Sequence, residues 1–166
     1  MKKLIRILKH LGTSRLRVMH LLPTRSMNAI ESAIAASENL HMGELRFVVE
    51  AGLDWPELFA GTSARKRALN IFSQLRIWDT ELNSGVLIYL LLADNKVEIL
   101  ADRGINSRVN QNEWASICQD MESKFRIGDF EAGVLSGITS IASLLMQHFP
   151  AKKKNPNELS NRPIIL

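Results

Sequence analysis

The chain has 166 residues, 46% hydrophobic and 23% charged, which is the balance of one ordinary globular domain rather than a collagenous, disordered or disulfide-stapled chain. A chain near this length buries roughly 68–70% of its unfolded surface and can build a core unaided, while its single cysteine, Cys118, excludes an internal disulfide and a thiolate metal site. The net charge of +4 divides into +7 over residues 1–30, −6 over residues 31–150 and +3 over residues 151–166, so an acidic body carries two basic ends that call for an anionic partner.

The first segment places Leu4, Ile5, Leu8 and Leu11 at helical spacing, with Lys2, Lys3, Arg6, Lys9 and His10 filling the other side. This is a short basic amphipathic helix, open to three readings: packed on the domain with its basic face solvated, laid on anionic lipid, or held against nucleic acid. On lipid, the contacts would be Lys2, Lys3, Leu4, Ile5, Arg6, Leu8 and Lys9. Basic residues interrupt the stretch where a secretory signal needs an apolar region, and no small-x-small cleavage site follows. The longest uninterrupted apolar run, residues 86–93, has eight residues, against about 20 for a membrane-spanning helix. The expectation is therefore no signal peptide, no transmembrane helix, and a cytoplasmic protein that is peripheral at the inner face of the membrane.

Residues 1–24 read as the basic amphipathic segment, 25–150 as an α/β domain and 151–166 as a flexible basic tail. Asn28 and Glu31 fit a capping box for a helix carrying Ile30, Ala33, Ile34, Ser37 and Leu40. Residues 44–50 alternate as a strand, Asp54 and Pro56 open one helical turn, and Thr62 or Ser63 caps a helix with Ala68, Ile71, Phe72 and Leu75 on one face. Residues 86–92 and 97–101 form a hairpin across Asp94 and Asn95, a pair suited to a type I′ turn. A two-residue loop there sets Gly85 opposite Gly104 and Leu87 opposite Asp102, and brings residues 78–83 to the same end of the sheet as residues 102–104. Asn112 then caps a helix with Trp114, Ile117, Cys118, Met121 and Phe125 on its core face. Asp129 caps a final helix lined by Val134, Leu135, Ile138, Ala142, Leu145 and Phe149, which Pro150 ends. The tail is polar and broken by proline, and it reads as mobile as far as Ile164. The fold class is α/β: a small mixed sheet, made of a parallel crossover plus a β-hairpin, sandwiched by helices.

Phosphate-binding loops, dinucleotide fingerprints, nucleophile elbows and zinc-protease motifs are absent, and nothing points to an organic cofactor. His10, His20, His41 and His148 are dispersed and read as surface or capping groups, and Cys118 reads as a small buried hydrophobe. Trp55, Trp78 and Trp114 lie in the acidic portion, away from the basic residues, so no stacking platform for nucleic acid forms. What remains is the oxygen-rich end of the hairpin, where Asp79, Thr80, Glu81, Asn83 and Asp102 offer hard ligands of the kind that suit Ca²⁺ or Mg²⁺. The plain alternative is a set of solvated turn carboxylates. Asp129 either joins this set or only caps its helix, and Arg103 could hold a phosphate or pair with an acid.

Residues 78–81, the run Asn83-Ser-Gly85-Val-Leu-Ile-Tyr-Leu-Leu, the strand Lys96-Val-Glu-Ile-Leu-Ala-Asp-Arg-Gly-Ile105 and the stretch Gly128-Asp-Phe-Glu-Ala-Gly133 follow one another in an order and spacing that resemble the TPM domain family. That family includes a thylakoid-lumen protein of photosystem repair with acid phosphatase activity and many small bacterial proteins linked to membranes. The resemblance implies an α/β/α sandwich and, in some members, a divalent-cation site, which on this sequence points to Asp79, Asn83, Asp102 and Asp129. It departs from the pattern at Asn83-Ser84-Gly85, where many members read asparagine and glycine directly, and at Ala101-Asp-Arg-Gly104. Two functions follow as expectations. One is a non-catalytic module for an anionic membrane surface or an acidic protein partner, with a cation in its acidic body. The other, implied by the resemblance, is a metal-assisted acid phosphatase in which Arg103 contacts the phosphate.

Overall fold

The computed structural model describes residues 2–151 and 156–166, so Lys152, Lys153 and Lys154 of the basic tail lie outside the described residues. Helices α1 (Lys2–Gly12), α2 (Arg15–Leu21) and α3 (Thr24–Glu38) lead into strand β1 (Glu44–Glu50). A crossover through α4 (Trp55–Phe59) and α5 (Ala64–Gln74) reaches β2 (Gly85–Leu91), which turns back as β3 (Lys96–Ala101). Then come α6 (Arg103–Asn106), α7 (Gln111–Arg126), α8 (Phe130–His148) and the short β4 (Ile164–Ile165). The sheet order is β3-β2-β1-β4, with β1 parallel to β2 and β4 and the β2/β3 pair antiparallel. This is the mixed sheet between helices that the sequence predicts.

Strand alternation divides the core into two layers. Leu45, Phe47 and Val49 of β1, with Val86, Ile88 and Leu90 of β2, face Ile30 and Ile34 of α3, Trp114 and Met121 of α7, and Val134 and Ile138 of α8. Leu87, Tyr89 and Leu91 face the opposite way, onto Leu58 of α4 and Ala64, Ala68 and Ile71 of α5. Covered on both faces, β2 needs apolar residues at every position, which is why its sequence is a continuous run. Among the described helices, α8 alone is long and apolar enough to cross a membrane by length and composition, and its contacts are with α3 and α7 in the core.

Several boundaries differ from the sequence reading. Helix α3 starts at Thr24 directly after Pro23, not at Asn28, and α7 is capped by Asn110 in a capping box with Glu113, not by Asn112. The hairpin loop spans four residues, a 3₁₀ turn over Leu92–Asp94 followed by Asn95 at φ 51°. Leu87 therefore pairs with Leu100 rather than Asp102. A slip of two residues leaves every side chain on its expected face, so the layers survive the error. Where the sequence predicts a mobile tail, its described part is anchored: Glu158 N and Leu159 N donate to Glu44 Oε2 at 3.1 and 3.0 Å, and Leu166 N donates to Val49 O at 2.9 Å. Arg46 donates to the Ser160 carbonyl as well.

Helix α1 docks by its polar side. Asp94, in the hairpin turn, accepts Arg6 Nη2 at 2.8 Å and Arg6 Nε at 3.1 Å, and its other oxygen meets His10 Nε2 at 3.0 Å. His10 Nδ1 accepts the Leu53 N–H at 2.9 Å, which leaves Nε2 as the nitrogen that donates to Asp94. His10 is buried, as is His41, so two of the four histidines are interior groups rather than surface ones. For His10, sequence spacing could not report this, because its partners are a turn 84 residues away and a loop amide. Burial opposes ionisation of Asp94, yet the hydrogen bonds from Arg6 and His10 hold its carboxyl below the usual range.

Asp94→Ala removes the shared partner of Arg6 and His10, at a cost of about 1.5–3 kcal/mol for a charge-assisted contact. Tryptic cleavage at Arg6 and Lys9 of α1 should then accelerate at least about tenfold, and cleavage at the wild-type rate would show that α1 is held by something else. Burial, opposed by the Leu45 N–H bond, raises the Glu38 carboxyl to about 7. With the folded value above the unfolded one, the native state holds the extra proton between pH ~4.5 and ~7, so this group's stabilisation is lost as pH rises through that window. Glu38→Gln keeps an acceptor for Leu45 N–H and should raise the melting temperature relative to wild type at pH 8 but not at pH 4.5. An equal shift at both pH values would refute the titration.

Candidate functional site

Ile77 O would lie 1.9 Å from a Cβ at Gly85, and Asn83 O and Leu82 O would lie 2.6 Å from one at Gly104. Only glycines admit the loop before β2 so close to the start of α6, and this packing forms the expected mouth. Gly104 N donates to Asn83 O at 3.1 Å, and Arg103 Nε donates to Asn83 Oδ1 at 3.1 Å. Asp102 caps α6, with Oδ1 accepting Arg103 N at 2.7 Å, while its Oδ2 is buried with no hydrogen-bond partner. Asp79 sits in the same loop, its N–H donated to Arg76 O.

Asp129 does not join them. It caps α8 through Ala132 N at 3.3 Å, as the sequence predicts, but at the other end of the sheet. Glu122, one turn before the end of α7, accepts Lys96 Nζ at 3.1 Å and Val97 N at 3.2 Å, so α7 finishes beside the hairpin turn. Among the described residues no three His, Cys, Asp or Glu side chains are grouped to hold a metal ion. Arg103 also sets a guanidinium on the amide oxygen that a cation would need. The expected donor set is therefore incomplete.

The mouth also gathers residues that the sequence reading left out. A cleft of about 530 Å³ is lined by Met42, Leu82, Gly104, Arg108, His148 and Phe149, among others. The Arg108 guanidinium lies 4.6 Å from the centre of the Phe149 ring, and Arg108 Nη1 donates to His148 O at 3.3 Å. The signal lay in length: 19 residues of helix span about 28 Å at 1.5 Å each. A helix that starts beside the hairpin turn thus ends at the mouth. Nearby His41 is buried, which lowers its pKa to about 4, and its ring is hydrogen-bonded with Gly43. Cys118 is partly buried, and burial pushes its thiol up to about 12, the behaviour of an inert packing residue.

The second surface is the outward side of α1 and α2. Arg6, Ile7 and His10 face the domain, leaving Leu4 at 62%, Ile5 at 50% and Leu8 at 59% exposure on the other side, continued by Leu16 at 76% on α2. Lys9, Arg15 and Arg17 are exposed on the same two helices. Of the expected lipid contacts, Arg6 is committed to Asp94, Lys3 donates to Phe59 O at 3.3 Å, and the Lys2 side chain lies outside the described residues. Val18 and Leu22 are core residues, so the basic segment ends as part of the domain.

Comparison with known proteins places the chain. The TPM domain matches residues 18–144. The fold is similar to the NMR structure of the BA42 protein from the psychrophilic bacterium Bizionia argentinensis sp. nov., with a TM-score of 0.77 and 30% identity over 87% of this chain and 95% of that one. It also resembles the N-terminal domain of a protein from P. gingivalis, with a TM-score of 0.63 and 18% identity over 80% of this chain and 83% of that one, a likeness of fold alone. No curated protein matches. With the domain covering residues 18–144 and a relative 30% identical along nearly its whole length, the chain belongs to the TPM domain family.

Proposed function

We propose that this chain is a TPM-domain module that binds an anionic membrane surface through α1 and α2. The observation that carries this reading is the direction of the apolar stripe. An amphipathic helix packed on its own domain turns its apolar side inward; α1 instead turns Arg6 and His10 inward and leaves Leu4, Ile5 and Leu8 exposed. Residues 1–30 contain no acidic residue, so the surrounding charge complements anionic headgroups. Removing residues 1–22 would strip Val18 and Leu22 from the core, so point changes make the cleaner test. Wild type should sediment with phosphatidylcholine vesicles containing phosphatidylglycerol, more weakly as salt rises. The double substitution Leu4→Glu and Leu8→Glu should weaken partitioning at least about a hundredfold, since each buried leucine contributes about 1.5–3 kcal/mol. Sedimentation unchanged by those substitutions would overturn the reading. An acidic protein partner would instead show as salt-sensitive binding with no vesicle affinity.

A second reading, a divalent cation at the mouth, is favoured by one atom, the buried and unpartnered Asp102 Oδ2. The hydrolase alternative gains no residue from the geometry. Arg103 Nε is held by Asn83, Ser107 Oγ donates to Gly104 O, and Arg108 donates to His148 O, so these polar groups are engaged with the protein itself. Ca²⁺ at a hundredfold excess over Kd should contribute about 2.7 kcal/mol, a rise in melting temperature of about 5–11 °C for a chain of this size. Asp102→Ala should cancel that rise, and a melt unmoved by Ca²⁺ and Mg²⁺ would dismiss the cation.

A further inference from the structure

Helix α4 exposes an aromatic pair next to α1. Trp55 is 50% exposed and Phe59 60% exposed, and their rings stack with centroids 5.6 Å apart and planes 18° from parallel. Exposed aromatics of this size are costly in water, where burying one contributes about 1.5–3 kcal/mol or more. The pair adjoins α1 along the side of that helix that packs on the domain: Lys3 Nζ donates to Phe59 O at 3.3 Å, and Lys3, Arg6 and Ile7 line a cavity of about 300 Å³ together with Leu58 and Gly61.

The turn that carries the pair is fixed from beneath. Pro56 stiffens its start, and Leu58 is buried in the core layer over β2. Arg67 then ties Glu57, at 2.8 Å, to Glu50 at the end of β1, at 2.6 Å. Tyr89 donates its hydroxyl to the same Glu50, so the anchor reaches the central strand. Glu57 and Leu58 point inward while Trp55 and Phe59, four positions apart, present their rings outward on one face. Rigid presentation of two rings to solvent, beside a basic apolar helix, suits the headgroup level of a bilayer, where an indole buries its ring and keeps its N–H hydrated.

We infer that Trp55 and Phe59 are a second insertion point into the same anionic bilayer, so that the protein is seated by α1 and the α4 turn together. This rests on the membrane reading of α1. The test uses the full chain with phosphatidylcholine and phosphatidylglycerol vesicles, with or without brominated acyl chains. Brominated lipid should quench the tryptophan emission of wild type and of Trp78→Phe but not that of Trp55→Phe. The double substitution Trp55→Ala and Phe59→Ala should weaken vesicle binding at least about tenfold, with the circular dichroism spectrum retained. Vesicle binding with no quenching lost in Trp55→Phe, and with affinity unchanged in the double variant, overturns the second insertion point while the α1 reading stands. No vesicle binding by wild type overturns both. Self-association of wild type without lipid, lost in the double variant, assigns the pair to a second copy of the chain and overturns the inference as well.

Discussion

The orientation of the N-terminal helix depends on one carboxylate. Asp94 stands in the hairpin turn, where Asn95 at φ 51° closes the chain back into β3, and it receives both Arg6 and His10. Its two partners are four residues apart, on one side of α1, so the carboxylate selects which side of the helix faces the protein. Gly52 makes the approach possible, because a Cβ there would lie 3.1 Å from His10 O. Without this clamp the hydrophobic effect would favour turning Leu4, Ile5 and Leu8 onto the body. With it, the apolar stripe is presented to whatever lies outside.

The second organising constraint is the burial of β2 on both faces. A strand covered on both faces needs helices in two layers, and the crossover supplies α4 and α5 to one layer while α3, α7 and α8 fill the other. Polar groups then collect where the layers end. At the end nearer the hairpin turn, Arg67 gathers Glu50 and Glu57, and hydrogen bonding to Glu50 holds its guanidinium more firmly charged than usual. Desolvation and the neighbouring Glu50 charge keep Tyr89 protonated beside them. At the opposite end, Glu44 is buried and receives the amides of Glu158 and Leu159, so the tail packs over this carboxylate.

Much of this was legible in the residues, and the gaps share a cause. The continuous run of β2, the Asp129 cap and the stripe of α1 are local patterns, and local patterns carry their own evidence. The stripe did not say which way it faced, since periodicity defines a side without naming its partner, and the partner is 88 residues from Arg6. For Asp129 the sequence offers both a cap and a place in the cation set, and the choice between them depends on the direction in which α7 runs along β3. The Arg108, His148 and Phe149 cleft was missed for the same reason, because it joins the ends of α6 and α8. Strand β4 was missed because two residues, Ile164 and Ile165, give too short a period to read.

The two surfaces sit at opposite ends of the sheet. Asp94 fixes α1 at the turn joining β2 to β3, and the α4 turn follows the end of β1 that pairs with Leu91, so the apolar and aromatic groups share one end. Asn83, Asp102 and the Arg108 cleft lie at the start of β2, seven residues away, or about 20 Å at the rise of an extended strand. The TPM domain match runs from Val18, within α2, to residue 144, so it takes in Asn83, Asp102 and Arg108 at the mouth, while α1 precedes it and His148 and Phe149 follow it. A bilayer seated on α1 would therefore hold the domain by one end of its sheet and leave the cleft at the far end open to solvent.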